Sequence, residues 1–169
     1  SYATIIESRF IKSLKEEQII DGLGEIIKAG FIKNKTILKL LKNETSDFFK
    51  KSKKISSLIK KSIKVKQFYV KKDFQDKRLR QILNFGHTVG HALELKYKIS
   101  HGKAVLYGME KELEIGEKIG VSKKELRNTL NSLLRKFNIK LDDQLKIDWK
   151  IVLKDKKIVG DSITLPVVL

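Results

Sequence analysis

The sequence predicts a mainly α-helical fold, a single domain of several helices that ends in a small β-hairpin. One proline and ten glycines in 169 residues leave room for long helices, because these two residue types interrupt helices most strongly. Apolar residues recur three or four positions apart along most of the chain, which places them on one face of a helix. The spacing changes near the end, where residues 156–159 and 162–165 flank the turn residues Gly160 and Asp161.

Two helices are predicted before residue 43. The first starts at Glu16 and ends at Gly30, a residue type that often terminates helices, and the second covers residues 36–42. Glu25 and Lys28 lie off the apolar stripe of the first helix, so the local pattern alone predicts that both face solvent.

A third helix is predicted from about residue 46 to residue 72, with ten lysines and no acid from residue 50 onward. Lys66 falls inside its apolar stripe. Such a lysine either needs an anion beside it or extends its ammonium group to solvent, and the sequence leaves both alternatives open. The residues that define the stripe are Ile55, Ile59, Ile63 and Val70.

A central helix is predicted from Leu79 to Lys96, after a polar loop at 73–77, and a further helix from His101 to about Ile119. Gly86 and Gly90 are four residues apart and leave a smooth strip where another backbone or a ligand could approach closely. The polar residues along one side of the central helix are Arg80, Asn84, His87 and His91.

The sequence after residue 120 contains patterns that predict secondary structure but no candidate site in residues 121–153. Ser122 and Glu125 form a predicted capping box, and Val121 with Leu126 a hydrophobic staple, at the start of an amphipathic helix. Residues 149–153 are compatible with a short helix or a strand.

All three histidines of the chain lie between residues 87 and 101. His87 and His91 stand one turn apart on one helix face, and His101 lies at the start of the next helix. Clustered imidazoles are typical zinc ligands, and a carboxylate would complete a catalytic set with an open position. The spacing allows all three histidines as ligands and does not select the carboxylate. The chain has no cysteine, so any metal must be bound by His, Asp or Glu.

Charge and composition limit the partners. The 37 Lys and Arg oppose 20 Asp and Glu and give a net charge of +17, which permits nucleic acid or an anionic membrane. Lysines outnumber arginines, however, and aromatic residues are not interleaved with the basic runs. No apolar run approaches the roughly 18 residues of a spanning helix. We therefore expect a cytoplasmic protein with a small anionic substrate, and neither a membrane nor nucleic acid as a partner.

The run Arg80-x-x-Leu-Asn-Phe-Gly-His-Thr-x-Gly-His-Ala-x-Glu94, followed by His101-Gly-x-Ala-Val and Gly108-Met109, resembles the signature of the 3-dehydroquinate synthase family. Two further pieces occur in the same order as in the family. One is Gly-x-Gly-Glu-Ile-Ile-Lys at residues 22–28, and the other is Asp-Lys-Lys at residues 155–157 before the predicted hairpin. The resemblance covers nearly the whole chain.

The resemblance implies roles for individual residues. It implies Glu25, His87 and His101 as the three metal ligands, which makes Glu25 a cleft residue against the local prediction. It implies His91 as a substrate-contacting acid/base residue and gives Asp76 the position of a glutamate that assists proton transfer. The residues implied to bind substrate are Lys28, Lys66, Arg80, Asn84, His91 and Lys156.

The activity implied is conversion of 3-deoxy-arabino-heptulosonate 7-phosphate to 3-dehydroquinate and phosphate, in the shikimate pathway, with Zn²⁺ or Co²⁺ and transient use of NAD. The family carries a Rossmann-like NAD domain before this helical domain and forms homodimers. The chain has no glycine-rich turn after a predicted strand. We therefore expect residues 1–169 to form a single metal- and substrate-binding domain, without the NAD domain and inactive alone.

Three alternatives remain open from the sequence. Within the enzyme class they are another sugar phosphate cyclase and a metal-dependent polyol dehydrogenase. Outside it, the lysine-rich third helix could make the chain a basic helical nucleic-acid-binding domain.

Overall fold

The computed structural model describes residues 5–44 and 54–154 together with 158–159, 162–163, 165–166 and 168. The described part is mainly helical, as the sequence predicts. The elements in chain order are a 3-10 helix at Ser8–Ser13, α1 (Glu16–Ile32), α2 (Lys35–Lys42), α3 (Ile55–Lys72), a second 3-10 helix at Leu79–Asn84, α4 (His87–Tyr97), α5 (His101–Lys118), α6 (Lys124–Lys136), α7 (Trp149–Lys154), β1 (Ile158–Val159) and β2 (Ser162–Ile163).

Helix α5 lies at the centre of the fold. It contacts α1, α4 and α6, and its inward side chains are wholly removed from solvent, which makes it the main contributor to the hydrophobic core. The fully buried apolar residues of α5 are Ala104, Val105, Leu106, Met109 and Leu113.

Glycines bring α1 and α4 into backbone contact with α5. A Cβ atom on Gly24 would lie 2.8 Å from the carbonyl oxygen of Gly102, and one on Gly90 would lie 2.8 Å from the carbonyl oxygen of Ala104. Such distances leave no space for a side chain, so the helices approach more closely than ordinary side-chain packing allows. The close approach that the sequence predicts at Gly90 is confirmed.

The prediction that the first helix ends at Gly30 is wrong. Helix α1 continues to Ile32, because Gly30 lies inside the fold, where a Cβ atom would come within 2.5 Å of the Leu38 side chain. The missing side chain lets α2 pack against α1. Gly30 therefore has a packing role within the helix and does not terminate it.

The buried edge of α3 differs from the prediction. Ile55 is buried as predicted, but Ile59, Ile63 and Val70 are only half-buried. Lys66 is exposed rather than inside the stripe, and the predicted residues 46–53 lie outside the described residues. The helix is rotated relative to the prediction, so that Tyr69 faces the core. The apolar pattern did not include Tyr69 because its side chain ends in a hydroxyl group. This hydroxyl donates a hydrogen bond to the Ile32 carbonyl oxygen at 3.2 Å. The residues that α3 buries are Ile55, Leu58, Val65 and Tyr69.

The predicted single central helix is two helices with a break between them. Residues 79–84 form a 3-10 helix, and α4 begins only at His87. Between them Gly86 adopts a left-handed φ of 79°, and its backbone N–H donates to the buried Glu112 carboxylate at 2.8 Å. A left-handed residue cannot continue an α-helix. Of the polar residues predicted on one side of a single helix, Arg80 and Asn84 therefore lie on the 3-10 helix, and His87 and His91 lie on α4.

The predicted capping box at Ser122 is also wrong. The Ser122 hydroxyl is buried and donates to the Val168 carbonyl oxygen at 2.8 Å, so it is not available to the helix. Lys123 is the N-cap of α6. Val121 is exposed, and its predicted staple with Leu126 stays a prediction. The amphipathic face of α6 is as predicted, and its buried residues are Leu130, Leu133 and Leu134.

The C-terminal region contains little regular structure. Residues 149–154 are helical, which decides between the two predicted alternatives. Two-residue strands pair antiparallel, with Ile158 opposite Ile163 and Val159 opposite Ser162, but residues 160 and 161 lie outside the described residues. These two pairs are too short to establish the predicted hairpin, which stays a prediction. No described helix is long and apolar enough to cross a membrane.

We predict that Gly86→Ala destabilises the protein by about 2–4 kcal/mol, because it adds a left-handed backbone penalty and a clash. The new Cβ atom would lie 2.6 Å from the Val105 carbonyl oxygen. Urea unfolding measures the loss. Gly120→Ala is the matched control, since Gly120 has a φ of 74° with nothing within 4 Å of a Cβ atom, so it should cost only about 1 kcal/mol. Equal losses for the two variants would contradict the packing argument.

Candidate metal centre and anion-binding cleft

Three side chains with metal-binding atoms converge from three helices. Glu25 comes from α1, and His87 and His101 are the first residues of α4 and α5. The Oε1 atom of Glu25 lies 3.4 Å from Nε2 of His87 and 3.7 Å from Nε2 of His101. One ligand atom from each residue fits within a span of 4.8 Å. The structure thus brings together the three residues that the family resemblance selects.

The glycine contacts explain this convergence. Gly24 precedes Glu25, and it rests directly on the Gly102 backbone next to His101. The Asp21 carboxylate accepts a hydrogen bond from the Gly102 N–H at 2.7 Å, and this bond joins α1 to the first turn of α5. Backbone contacts between α1 and α5 therefore place Glu25 close to His101.

Hydrogen bonds direct the two ligand imidazoles. Nδ1 of His87 lies 3.3 Å from the Phe85 carbonyl oxygen, and Nδ1 of His101 lies 3.1 Å from the Glu94 carboxylate. Both acceptors require a proton on Nδ1, which leaves Nε2 with a lone pair on the side of Glu25. Neutral imidazole nitrogens and a carboxylate oxygen are the donor set that Zn²⁺ and Co²⁺ accept, so the residues present fit such a metal.

The charge states suit metal binding at neutral pH. Burial, followed by the nearby Lys28 ammonium, lowers the pKa of His87 to about 4, so this imidazole is neutral at pH 7. Burial raises the pKa of Glu25, but the charge of the Lys28 ammonium and its hydrogen bond to the carboxylate outweigh this effect and give a net lowering. Glu25 is therefore ionised.

The local prediction that Glu25 and Lys28 face solvent is wrong. The Glu25 side chain is half-buried, and Lys28 is only 5% exposed. The Lys28 ammonium lies 2.9 Å from a Glu25 carboxylate oxygen, and burial lowers the pKa of Lys28 while Glu25 opposes that effect. A polar pair off the apolar stripe can line a cleft as well as a surface, and helical periodicity does not distinguish the two.

A cleft of about 520 Å³ opens beside the three ligands. Helix α3 lines the cleft with Ser62, Ile63 and Lys66, and Leu83 lines it as well. The sequence did not indicate Ser62, Ile63 or Leu83 as cleft residues, because uncharged side chains give no signal of a cleft. The predicted site residues that line the cleft are Glu25, Lys28, Lys66, Asp76, Arg80, Asn84, His87 and His101.

Positive charge exceeds negative charge in this cleft, because Lys28, Lys66 and Arg80 line it together with the two carboxylates of Glu25 and Asp76. Within the described ranges neither Lys66 nor Arg80 forms an ion pair, although the Arg80 guanidinium donates to the Phe74 carbonyl oxygen at 3.3 Å. Lys66 is close enough to lower the pKa of Lys28 by repulsion. Cations held together without a matching number of acids favour an anionic ligand.

His91 is close to the metal-ligand candidates without lining the cleft. Its ring centroid lies 5.3 Å from that of His87 and 6.2 Å from that of His101. Lys156 lies outside the described residues. The structure therefore brings His91 beside the candidate ligands and leaves Lys156 as a prediction.

The loop at 73–78 is held by a carboxylate that the sequence analysis did not single out. Asp73 accepts backbone hydrogen bonds from Arg78 at 2.8 Å, Lys77 at 3.0 Å and Arg80 at 3.1 Å. The position of Asp73 directly after a helix could have predicted this role, because Asp side chains in such turns often accept hydrogen bonds from backbone N–H groups. These bonds shape the loop that carries Asp76, where the backbone φ is 56°.

Comparison with known proteins identifies the relatives of the chain. The family model for the C-terminal part of 3-dehydroquinate synthase matches residues 22–158. The chain belongs to the 3-dehydroquinate synthase family. A 3-dehydroquinate synthase of Dictyoglomus turgidum is 36% identical over 169 residues, 96% of this chain and 48% of that protein. That of Sulfolobus acidocaldarius is 35% identical over 175 residues, 97% and 50% of the two chains. The chain spans about half the length of these curated relatives.

Solved structures of sugar phosphate cyclases share the fold. A 2-deoxy-scyllo-inosose synthase complexed with carbaglucose-6-phosphate, NAD⁺ and Co²⁺ matches with a TM-score of 0.73 at 25% identity, over 94% of this chain and 47% of that one. A 2-epi-5-epi-valiolone synthase from Streptomyces hygroscopicus, with NAD⁺ and Zn²⁺ bound, has a TM-score of 0.73 at 17% identity, over 83% and 41%. The second similarity concerns the fold alone. The predicted family is confirmed.

We predict that Asp73 titrates well below an ordinary aspartate. Its hydrogen bonds to the backbone N–H groups of Arg78, Lys77 and Arg80 lower its pKa from 3.8 to about 2. Because the folded-state pKa is depressed, the stabilisation by Asp73 is complete above pH 3.8 and is lost as the pH falls towards 2. Carboxyl-carbon NMR titration measures this pKa, and Asp73→Asn should remove the loop's response to pH in that range. A pKa near 3.8 would show that the three bonds do not form in solution.

Proposed function

We propose that the chain is the metal- and substrate-binding half of a 3-dehydroquinate synthase. The reaction would convert 3-deoxy-arabino-heptulosonate 7-phosphate to 3-dehydroquinate and phosphate, in the shikimate pathway. The observation that carries the proposal is the convergence of Glu25, His87 and His101 at the edge of a cleft that also holds Lys28, Lys66 and Arg80. A metal donor set beside an excess of cations suits a phosphorylated keto acid with hydroxyl groups.

The proposed metal ligands are Glu25, His87 and His101. A bound Zn²⁺ or Co²⁺ supplies a Lewis acid for a substrate hydroxyl or carbonyl oxygen. Three protein ligands leave a coordination position for substrate. The Lys28 ammonium touches Glu25 at 2.9 Å, so the same lysine can orient this ligand and contact substrate.

The remaining cleft residues would bind substrate and move protons. Lys28, Lys66 and Arg80 neutralise the phosphate and carboxylate groups, and the planar guanidinium of Arg80 suits a two-point contact. Asn84 hydrogen-bonds hydroxyl groups.

His91 and Asp76 are the proposed proton-transfer residues. Asp76 lines the cleft directly, whereas His91 packs against His87 and would have to reach substrate past the ligand ring. Lys156 is proposed as a further substrate contact.

The hydride chemistry would belong to NAD, bound by a domain outside this chain. The length of the relatives supports this division, because the chain matches about half of each. The proposed partners are therefore an NAD-binding domain of the same polypeptide and, for the complete enzyme, a second copy in a homodimer. We propose a cytoplasmic location for it.

A second candidate is another sugar phosphate cyclase activity. The similarity to 2-deoxy-scyllo-inosose synthase at a TM-score of 0.73 favours it. The two candidates differ in the ligand that the cleft should prefer. Binding measurements with 3-deoxy-arabino-heptulosonate 7-phosphate and with carbaglucose-6-phosphate separate them, and tighter binding of the second compound would favour the second candidate.

We predict that Zn²⁺ or Co²⁺ binds at one site and that His87→Ala weakens this binding by more than about 100-fold, beyond the usual effect of losing an outer hydrogen bond. Competition with a chelator of known affinity measures the dissociation constant. His91→Ala is the matched control, an imidazole lost from the same helix but not from the proposed ligand set, and it should keep the metal. Equal metal binding by His87→Ala and the unaltered protein would refute the ligand assignment.

We predict that the 169-residue chain alone has no turnover with substrate, metal and NAD, because half of the active site is supplied by the other domain. Release of inorganic phosphate measures turnover. Adding the NAD-binding half, in one polypeptide with this chain, should restore it. Formation of 3-dehydroquinate by the chain alone would show that no second domain is needed.

A further inference from the structure

Glu94 is a polar residue of the family motif to which the proposed function gives no role. It lies on α4, one turn after His91, and its Oε2 atom lies 3.1 Å from Nδ1 of His101. We propose that Glu94 is a positioning residue of the metal centre, whose carboxylate holds His101 as the Nδ1–H tautomer with Nε2 directed at Glu25. This inference rests on the proposed metal site.

The Glu94 carboxylate gives the His101 ring a directional hydrogen-bond partner, whereas the neighbouring imidazoles of His87 and His91 contact it only ring to ring, with centroids 5.3 and 6.2 Å away. His101 is the first residue of α5, and its side chain is 42% exposed. Rotation of an exposed imidazole by half a turn exchanges the directions of its two nitrogens at low cost, and either nitrogen can carry the proton. A carboxylate on the Nδ1 side accepts only from N–H, so it selects one ring orientation and one tautomer together. Nε2 then remains 3.7 Å from Glu25.

His87 provides an internal comparison. Its side chain is only 14% exposed, and its Nδ1 atom faces the carbonyl oxygen of Phe85 at 3.3 Å. Packing and a backbone acceptor thus orient the first imidazole, whereas the second depends on a side chain. A carboxylate acceptor also makes the opposite ring nitrogen a stronger electron donor than a carbonyl acceptor does. Loss of Glu94 should therefore weaken the metal site through the His101 imidazole, which loses its carboxylate partner.

The same region allows a different grouping, in which His91, Glu94 and His101 would themselves surround an ion. Three observations favour the positioning role. Glu94 faces Nδ1 of His101 at hydrogen-bond distance, and the grouping with Glu25 directs the Nε2 atoms of two histidines at one carboxylate oxygen. Glu94 is also absent from the cleft lining that contains Glu25 and the cations.

The test uses Glu94→Ala, which removes the acceptor, and Glu94→Gln, which keeps an acceptor oxygen without the charge. Glu125→Ala removes an exposed carboxylate from α6, outside the cleft, and is the matched control. Nitrogen NMR of the imidazoles reports the His101 tautomer in the metal-free protein. Chelator competition reports affinity for Zn²⁺ and Co²⁺, and the visible absorption of bound Co²⁺ reports its ligand number.

The unaltered protein should show His101 as the Nδ1–H tautomer. Glu94→Ala should give a mixture of tautomers and weaken metal affinity by about 10- to 100-fold, with the ligand number of Co²⁺ unchanged. Glu94→Gln should keep the tautomer and lose less affinity than Glu94→Ala, and Glu125→Ala should match the unaltered protein. If Glu94→Gln retains the tautomer and more metal affinity than Glu94→Ala, the loss in Glu94→Ala comes from the missing acceptor and not from unfolding. Circular dichroism checks that each variant is folded.

Four results would overturn the proposal. An unchanged His101 tautomer in Glu94→Ala would show that the carboxylate does not orient the ring. Unchanged metal affinity in that variant, with binding lost in His87→Ala, would refute the role of Glu94 while leaving the metal site intact. A loss of binding as large in Glu94→Ala and His91→Ala as in His87→Ala, with an altered Co²⁺ spectrum, would make Glu94 a ligand. If the unaltered protein binds no metal, the proposed metal site fails, and the positioning role for a metal fails with it.

Discussion

The site depends on one packing constraint, the backbone contact of α1 and α4 with the first two turns of α5. Gly24 rests on Gly102, and Gly90 rests on Ala104, at distances that exclude a Cβ atom. Helices in globular proteins usually pack 8–10 Å apart because side chains separate them. Without those side chains, residues next to the contacts come within reach of one another. The carboxylate of Glu25 on α1 can then reach the imidazoles of His87 and His101 on two other helices.

The electrostatics follow from the same close approach. Glu25 is held between Lys28 and the imidazoles of His87 and His101. A lysine as buried as Lys28 keeps its charge at tolerable cost only when a carboxylate contacts it. The pair therefore allows the cleft to present a cation deep beside the candidate ligands, with Lys66 nearer to solvent. A ligand that carries negative charge gains from both cations and from loss of their mutual repulsion.

Two carboxylates outside the candidate ligand set fix the starts of the helices that carry His87 and His101. Glu112 accepts the Gly86 N–H where the chain turns into α4, and Asp21 accepts the Gly102 N–H at the start of α5. Both are carboxylates that bind backbone at the beginning of a helix that starts with a histidine. Since the first residue of a helix has few neighbours along its own chain, contacts of this kind define where its side chain points.

The sequence by itself determined the helical class, the extent of α5, the inward face of α6 and, through a specific motif, the family and the residues to examine. Periodicity could determine the class and the two helices because these depend on neighbours three and four positions apart, whereas the family followed from the motif. Only the tertiary structure decided that Glu25 and Lys28 line a cleft, that the chain breaks at Gly86, and that Ser122 bonds Val168 instead of capping α6. Those outcomes depend on contacts with residues far away in the sequence, such as the contact of Gly86 with Glu112. The local spacing of residues does not indicate which distant residue will make such a contact.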